Sequence, residues 1–478
     1  MATPTYPGVY VEEVSSGIRP LTLASTSTAA FIGVAEKGAT DKAVKVYNFS
    51  EYQNLYGDFV DYSFLTHAVY QFFNNGGSQC YIVNVPVTDL ATAGVTLVTD
   101  FKISAVSPGV WGNNLKITII PLPTGTPTQF NLEVYFGDNP AAVETFEDLN
   151  VTSTDPNFVE TIINGHSKYI VVEAPATLPA AAALTPLTGG NDGTVDKNDY
   201  LDAFTYLDNK DDVSLIATPG RDDVIGDGMN YCANRPLSDC FFIGDLSQEN
   251  DTVDDAKTAV GLITPKNSYG AVYLPWIYMT DPTGRNPEPI LVPPSGYVAG
   301  LYAKTDSQRG VWKAPAGTAA ALAGTVGLKA NFTDVQQGNL NPRNINCIRQ
   351  FSASGIVIWG ARTISSDPEW RYIPVRRMSI LLRVSIYNGI QWAVFEPNDE
   401  ELWSQLRLNI NAFMMTLYRR GAFQGSSPAE AFFVKCDSET TPQADIDQGI
   451  VNVLVGFAPL KPAEFVMVKI SQKAGQTA

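Results

Sequence analysis

Residues 213–263 read VSLIATPGRDDVIGDGMNYCANRPLSDCFFIGDLSQENDTVDDAKTAVGLI, and their pattern sets the fold class. Val213 to Thr218 and Asp239 to Ile243 are short apolar runs closed off by turn residues, as buried strands are. Thr252 to Ile263 reads as a helix. Strands that alternate with helices predict an α/β layer. Tyr273 to Met279 continues the layer as a further strand. A loop from Asp281 to Gly296 follows, stiffened by prolines 282, 287, 289, 293 and 294.

Upstream, Ala29 to Val34 reads as a buried strand and Phe64 to Phe73 as a helix stopped by Asn74-Asn75-Gly76-Gly77. Cys80 to Val85 alternates as a strand does. The texture then changes from about Ala91 to Thr188. Lys102 to Val106, Leu115 to Ile120, Phe130 to Phe136 and Lys168 to Glu173 read as strands between Pro/Gly turns, which predicts a β-rich inserted domain. Leu187-Thr-Gly-Gly-Asn-Asp-Gly193 reads as its exit linker.

Downstream, Val375 to Asn388 reads as a helix. A second helix runs from Asn398 to Arg420, with Asn398 as its cap and Glu401 three residues on, as in a capping box. Leu402, Leu406, Ile410, Phe413 and Leu417 form one apolar stripe on it. Ala431 to Cys436 and Val451 to Phe457 read as strands. Both ends of the chain are strands set off by prolines: Tyr6 to Val14 between Pro4, Pro7 and Pro20, and Glu464 to Ile470 beyond Pro459 and Pro462. Proline-flanked strands pair only at edges, so each is expected to find its partner elsewhere.

The balance of 32 basic against 49 acidic residues gives −17, which disfavours nucleic acid as a partner, because phosphate binding needs a positive footprint. Charged residues are 17% of 478, below the ~25% usual in soluble domains, as expected of a chain that hides surface in an assembly. Neither a membrane span nor a signal peptide is expected. The five cysteines, at 80, 232, 240, 347 and 436, include no C-x-x-C pair and read as buried, reduced thiols.

The chemistry-bearing residues are few. His67 lies in the first helix and reads as a packed histidine; His166 lies in an exposed turn. Neither has a second ligand nearby in sequence, so no metal site is expected. No G-x-S-x-G elbow and no phosphate loop occur, and no cofactor is expected. Asn191, Asp192, Asp196, Asn198 and Asp199 miss the spacing of a calcium loop and read as an acidic turn capping a helix at Asp199. Arg371, Arg376, Arg377 and Arg383 read as ion-pair partners for the acidic surplus, with a basic patch for phosphate or an acidic protein surface as the competing reading.

A series of short segments carries more information. Pro7-Gly-Val-Tyr-Val-Glu-Glu13, Thr26-Ser-Thr-Ala-Ala-Phe-Ile-Gly33, Phe72-Phe-Asn-Asn-Gly-Gly77, Cys80-Tyr-Ile-Val83, Pro108-Gly-Val-Trp-Gly-Asn113 and the 187–193 linker come first. Arg309-Gly-Val-Trp-Lys-Ala-Pro-Ala316, Trp359-Gly-Ala-Arg-Thr363, Arg376-Arg377, Trp392-Ala-Val-Phe-Glu-Pro-Asn398, Ala431-Phe-Phe-Val-Lys-Cys-Asp437 and Ala458-Pro-Leu-Lys-Pro-Ala-Glu-Phe465 follow. In this order, over nearly the whole chain, they resemble the contractile tail sheath proteins of phages and phage-tail-like injection machines.

The resemblance implies a fold that is α/β, or α+β overall. Its parts would be a terminal arm (1–22), a first core segment (23–90), an inserted β-rich outer domain (91–190), a subtilisin-like α/β core (191–370), a C-terminal sheath domain (371–458) and a second arm (459–478). It implies a non-enzymatic homo-oligomer, with six subunits per ring, stacked helically around an inner tube protein. Baseplate and terminator or cap proteins would be further partners, with neither nucleic acid nor direct membrane insertion. Synthesis is expected in the bacterial cytoplasm. Subunit contacts are expected from arm residues Tyr6, Val9, Tyr10, Val11, Glu464, Phe465, Val466, Met467, Val468 and Ile470. Arg407, Arg419 and Arg420 are expected to face the tube. The arm from Ala2 to Arg19 spans about 55–60 Å when extended, and a core of this size is roughly 60 Å across, so it reaches a neighbour. The competing readings are a serine-hydrolase-like enzyme on the subtilisin-like layer and the tube protein itself, for which the chain is too long.

Overall fold

A computed structural model describes residues 19–97, 101–122, 128–174, 177–465 and 467. The expected N-terminal strand, with Tyr6, Val9, Tyr10 and Val11, lies outside them, as do Val466, Val468 and Ile470.

The strands of the central sheet are β1 (Ala29–Gly33), β2 (Ala43–Val46), β3 (Cys80–Asn84), β4 (Leu215–Ala217), β5 (Phe241–Asp245), β6 (Gly270–Leu274), β7 (Ile345–Phe351) and β8 (Gly355–Ile358). They lie in the order β2-β3-β1-β4-β5-β6-β7-β8. The six strands from β3 to β7 in that order are parallel, and the two edges pair antiparallel. Parallel strands need both faces covered, which explains their near-continuous apolar runs. Phe31, Leu215, Phe241 and Tyr273 face the helices Leu65–Asn74, Ser295–Arg309 and Ile373–Gly389. Ile32, Ile216, Phe242 and Val272 face Lys197–Thr205, Ile225–Asn234 and Val253–Leu262. Helices 65–74 and 295–309 touch backbone to backbone. A Cβ on Gly296 would sit 2.4 Å from the Ala68 carbonyl oxygen, so only glycine permits the approach.

Residues between Ala93 and Leu187 bury their own cluster, which includes Phe101, Trp111, Phe130, Leu132 and Ile170. They form an antiparallel sheet of Ala182–Pro186, Leu115–Pro121, Phe130–Phe136 and Glu144–Leu149, and a second of Ile170–Glu173, Lys102–Ala105 and Gly94–Thr96. At the base of this unit Thr88–Ala91 pairs antiparallel with Asn191–Thr194, Ala91 opposite Asn191. The stretch read as a bare linker therefore ends in a strand.

The C-terminal helices Ile373–Gly389 and Glu400–Arg419 pack with a hairpin of Phe432–Lys435 and Leu454–Phe457. All five residues of the stripe, Leu402 to Leu417, are buried.

Four sequence expectations need correction. Tyr273–Met279 is two strands, not one. β6 ends at Leu274, and Ile277–Met279 joins a different sheet with Ile290–Val292 and Gly327–Leu328. Pro275 between them has no N–H to extend the ladder. The helix expected to be capped at Asp199 starts earlier: Asp196 is its cap, and the Asp196 N–H donates to the Asp199 carboxylate at 2.7 Å. Asn398 does not cap the second C-terminal helix. Its side chain is taken by the Trp403 indole N–H (2.9 Å) and the Ile450 carbonyl (3.0 Å), and Asp399 accepts from Leu402 N–H instead. Finally, Glu464 and Phe465 lie in no strand; the Glu464 carboxylate is drawn inward to Arg362.

Candidate interaction surfaces

Three of the sequence segments, distant in the chain, converge on one groove of about 770 Å³. Residues 309–317, 334–341, 359–361, 420–421 and 460–465 line it. The C-terminal segment runs along it. Arg362 pins that segment: its Nε donates to Glu464 Oε1 at 2.8 Å and its Nη2 to Oε2. Nη1 donates to the Asn341 carbonyl at 2.9 Å, and the Arg362 main chain is held on both sides by Asn346. The Glu464 carboxylate raises the Arg362 pKa against the opposing effect of burial. Arg420 stacks its guanidinium 5.5 Å from the Trp312 ring at the same groove.

Three of the four clustered arginines, Arg376, Arg377 and Arg383, are spent inside the fold. Arg377 pairs with Asp306, both side chains 4% exposed, and also donates to the Thr26 carbonyl at 2.7 Å. Burial is the main reason the Asp306 pKa rises, and Arg377 opposes it. Beside the pair, the Tyr273 and Tyr302 hydroxyls share a 2.5 Å hydrogen bond. Arg376 pairs with no carboxylate among the described residues. It donates to the Ser268 hydroxyl at 2.8 Å and lies 3.7 Å from the Trp370 ring. Arg383 donates to the Leu237 carbonyl and the Tyr269 hydroxyl. Ion pairing was thus the right reading for Arg377 and the wrong one for Arg376; aromatic stacking holds the latter.

The N-terminal segment crosses the C-terminal helices before entering β1. Arg19 N–H donates to Asn409 Oδ1 (2.8 Å), Ala24 N–H donates to the Ser385 hydroxyl (2.9 Å), and the Arg19 guanidinium covers the Trp392 ring at 4.4 Å. The three arginines expected to face a tube do not form one patch. Arg407 pairs with Glu400 at 2.7 Å near the 432–435 strand, while Arg419 and Arg420 are exposed at the far end of the helix.

Of the two histidines, His67 is buried between Phe59 and Phe64, and burial lowers its pKa to about 4. His166 is exposed. All five cysteines are buried and free. Sequence reasoning missed Asp245 at the end of β5. It accepts from Ser295 N–H (2.7 Å) and Gly220 N–H (3.1 Å), and burial raises its pKa to about 7. It also missed Asn409, an ordinary polar residue on a helix with no motif around it.

An α/β layer is thus joined to a helical unit, with residues 19–24 laid on the latter and residues 460–465 in the groove beside Arg362. Profiles of the phage tail sheath protein central domain and C-terminal domain match residues 193–364 and 365–473 in succession. The chain belongs to the phage tail sheath family. A prophage major tail sheath protein of Pseudomonas aeruginosa (strain UCBPP-PA14) is 30% identical over 178 residues, covering 36% of this chain and 44% of that protein. The tail sheath protein of Enterobacteria phage T4 is 23% identical, covering 63% of this chain and 48% of its own length. The chain thus spans less than half of each of these relatives. Among solved structures, the PVC sheath of an extracellular contractile injection system in the contracted state is 26% identical, with TM-score 0.62 and 99% of each chain covered. The contracted helical sheath of the anti-feeding prophage matches in fold, with 23% identity, TM-score 0.64, and 98% of this chain and 100% of that one covered.

Proposed function

We propose that the chain is the subunit of a contractile sheath, polymerising in stacked sixfold rings around an inner tube and shortening to drive the tube through a target envelope. One observation carries this reading beyond the family match. The hairpin of Phe432–Lys435 and Leu454–Phe457 is only two strands wide, and no further strand pairs with it among the described residues. Packing on the C-terminal helices stabilises the hairpin, and its unpaired strand edges are templates for added strands. The strand-like terminal arms of neighbouring subunits supply what the hairpin lacks, by strand addition. Such head-to-tail contacts build helical tubes, not closed pairs.

The arms, with Tyr6, Val9, Tyr10, Val11, Val466, Met467, Val468 and Ile470, act as hinges that keep subunits joined while their bodies slide. Glu464 and Phe465 sit at the fixed end of the second hinge. The energy of the stroke is stored at assembly in a kinetically trapped extended lattice. A few hundred Å² of extra apolar burial per subunit, at ~25 cal/mol per Å², gives several kcal/mol. The six parallel strands covered on both faces support a subtilisin-like layer used as scaffold, without enzymatic activity. The separately packed 93–187 unit is assigned to the outside of the sheath. Baseplate, terminator and tube proteins are its other partners. The sheath is made in the bacterial cytoplasm and works as part of a phage tail or tail-like particle.

Negative-stain microscopy and sedimentation test the proposal. Tubes or long polymers are expected, with tube protein promoting them. A stable monomer at high concentration, with and without tube protein, defeats it. Charge reversal at Arg407 and Arg419 separately tests the tube-facing assignment: tube co-assembly should weaken while folding persists.

A further inference from the structure

Phe395 stands on the loop between the helices Ile373–Gly389 and Glu400–Arg419, with its backbone at φ +71°. That left-handed conformation suits glycine and costs energy with a bulky side chain. The ring recovers nothing inside the chain: Phe395 is 103% exposed and Val394 beside it 58%. Strained backbone that holds an apolar ring out in water marks a contact point. Carboxylates surround it. Asp399 is used as the cap for Leu402 N–H, and Glu400 pairs with Arg407. Glu396 and Glu401 are exposed and have no ion-pair partner among the described residues. Arg19 shares a recess with them but stacks on Trp392.

The other end of the same helix has the opposite character. Arg420 and Gly421 line the groove of about 770 Å³. Twenty residues of helix set that groove about 30 Å from the Phe395 loop, so the loop cannot fill the groove of its own chain. Trp312 and Trp359 give the groove an aromatic wall, and Arg309, Arg420 and Lys461 stand at it. Its acidic residues are already engaged, Asp334 by Arg349 at 2.6 Å and Glu464 by Arg362. Arg309, Arg420 and Lys461 pair with no carboxylate among the described residues. An acidic apolar knob and a basic aromatic groove thus lie at opposite ends of one helix.

We infer that the Phe395 loop of one copy of this chain seats in the 309–317 and 420–421 groove of the next, with Phe395 towards Trp312 and Trp359 and with Glu396 and Glu401 towards Arg309 and Arg420. Complementary charge sets which surfaces meet, and the buried ring supplies the anchor. The two surfaces differ and face apart, so the contact is head-to-tail and repeats from copy to copy without closing on a pair. The inference rests on the polymerisation proposed above for its second copy, and it adds a contact between bodies that does not depend on the arms.

Photocrosslinking in the full chain tests it. Phe395→p-benzoylphenylalanine keeps an aromatic ring at the position. In polymers it should crosslink to residues 309–317, 359–361 or 420–421, and mixing isotope-labelled with unlabelled chains should show that the joined peptides come from different copies. Crosslinks within one copy, to another part of the chain, to tube protein, or none at all overturn the inference. Sedimentation gives a second readout. Phe395→Gly suits the backbone, so it should raise the thermal midpoint of the unassembled chain while weakening association about tenfold or more. Glu396→Lys and Arg420→Glu should each weaken association about tenfold, and their combination in one chain should recover most of the loss. Unchanged association in Phe395→Gly or in both charge variants, or no recovery in the combination, also overturns it. A wild type that stays monomeric at high concentration defeats the sheath reading together with this one; polymers without the crosslink defeat only this contact.

Discussion

Arg362 and Glu464 meet across the C-terminal groove in a two-pronged ion pair, with side chains only 9% and 16% exposed. The pair holds residues 460–465 against the body of the chain. Removing one partner of a buried pair leaves the other charge uncompensated, at about 3 kcal/mol. Glu464→Ala should therefore free residues 460–465, seen as faster chymotryptic cleavage after Phe465, while circular dichroism stays unchanged. Arg362→Lys should behave like Glu464→Ala, because an ammonium cannot reproduce the fork. Equal cleavage rates in wild type and both variants would show that the pair does not hold the segment.

Arg377 and Asp306 tie the 373–389 helix to the 295–309 helix, and Arg377 also reaches the Thr26 carbonyl. Asp306→Ala should cost about 3–5 kcal/mol in urea unfolding. Arg377→Ala should match it and additionally loosen residues 24–28, read as faster amide exchange there. A loss below about 1 kcal/mol in both would rule out a structural role for the pair.

Residues 92–190 should be dispensable for folding. Thr88–Ala91 and Asn191–Thr194 already pair as an antiparallel ladder, with Ala91 opposite Asn191. Replacing 92–190 by Asn-Gly should close that ladder into a tight hairpin. A soluble, cooperatively unfolding protein that still polymerises is expected by sedimentation. Insoluble protein would mean that the β-rich unit supports the core.

Asp245 and His67 bend the pH dependence of stability in opposite directions. Burial raises Asp245 from its ordinary 3.8 to about 7, so the folded chain keeps a proton that the unfolded chain loses. Stability from this group falls as pH rises from about 4 to about 7. Burial lowers His67 from 6.5 to about 4, so the unfolded chain takes up a proton that the folded one refuses. Stability from this group falls as pH drops from 6.5 towards 4. Asp245→Asn should therefore steepen the loss in urea midpoint between pH 6.5 and 4.5 relative to wild type, and His67→Gln should reduce it. Parallel curves for all three chains would exclude both assignments.

Deleting residues 2–19 should give a folded protein that cannot build a continuous sheath. Lengthening the arm near Ser15-Ser16 should permit assembly and slacken the coupling, leaving sheaths extended after a trigger. Electron microscopy before and after triggering reads both. Normal assembly and contraction without the arm would falsify the hinge mechanism.

The α/β layer was legible along the chain because its strands are buried on both faces. Val213 to Thr218 and Asp239 to Ile243 are apolar without alternation, and turn residues bound them. The stripe from Leu402 to Leu417 was legible because helical spacing records which side is covered. The segments at 309–316, 359–363 and 458–465 were visible as a resemblance, but not as neighbours.

What only the tertiary structure decided is where polar side chains spend their hydrogen bonds. Asn398 looked like a cap and is consumed by Trp403 and Ile450. Arg376 looked like an ion-pair partner and lies against Trp370. Glu464 looked like part of a strand and closes on Arg362, 102 positions earlier. Apolar burial follows local periodicity, so it can be read from consecutive residues. A polar side chain chooses among partners that folding brings from anywhere in the chain, and burial makes that choice binding because an unpaired donor or charge is costly.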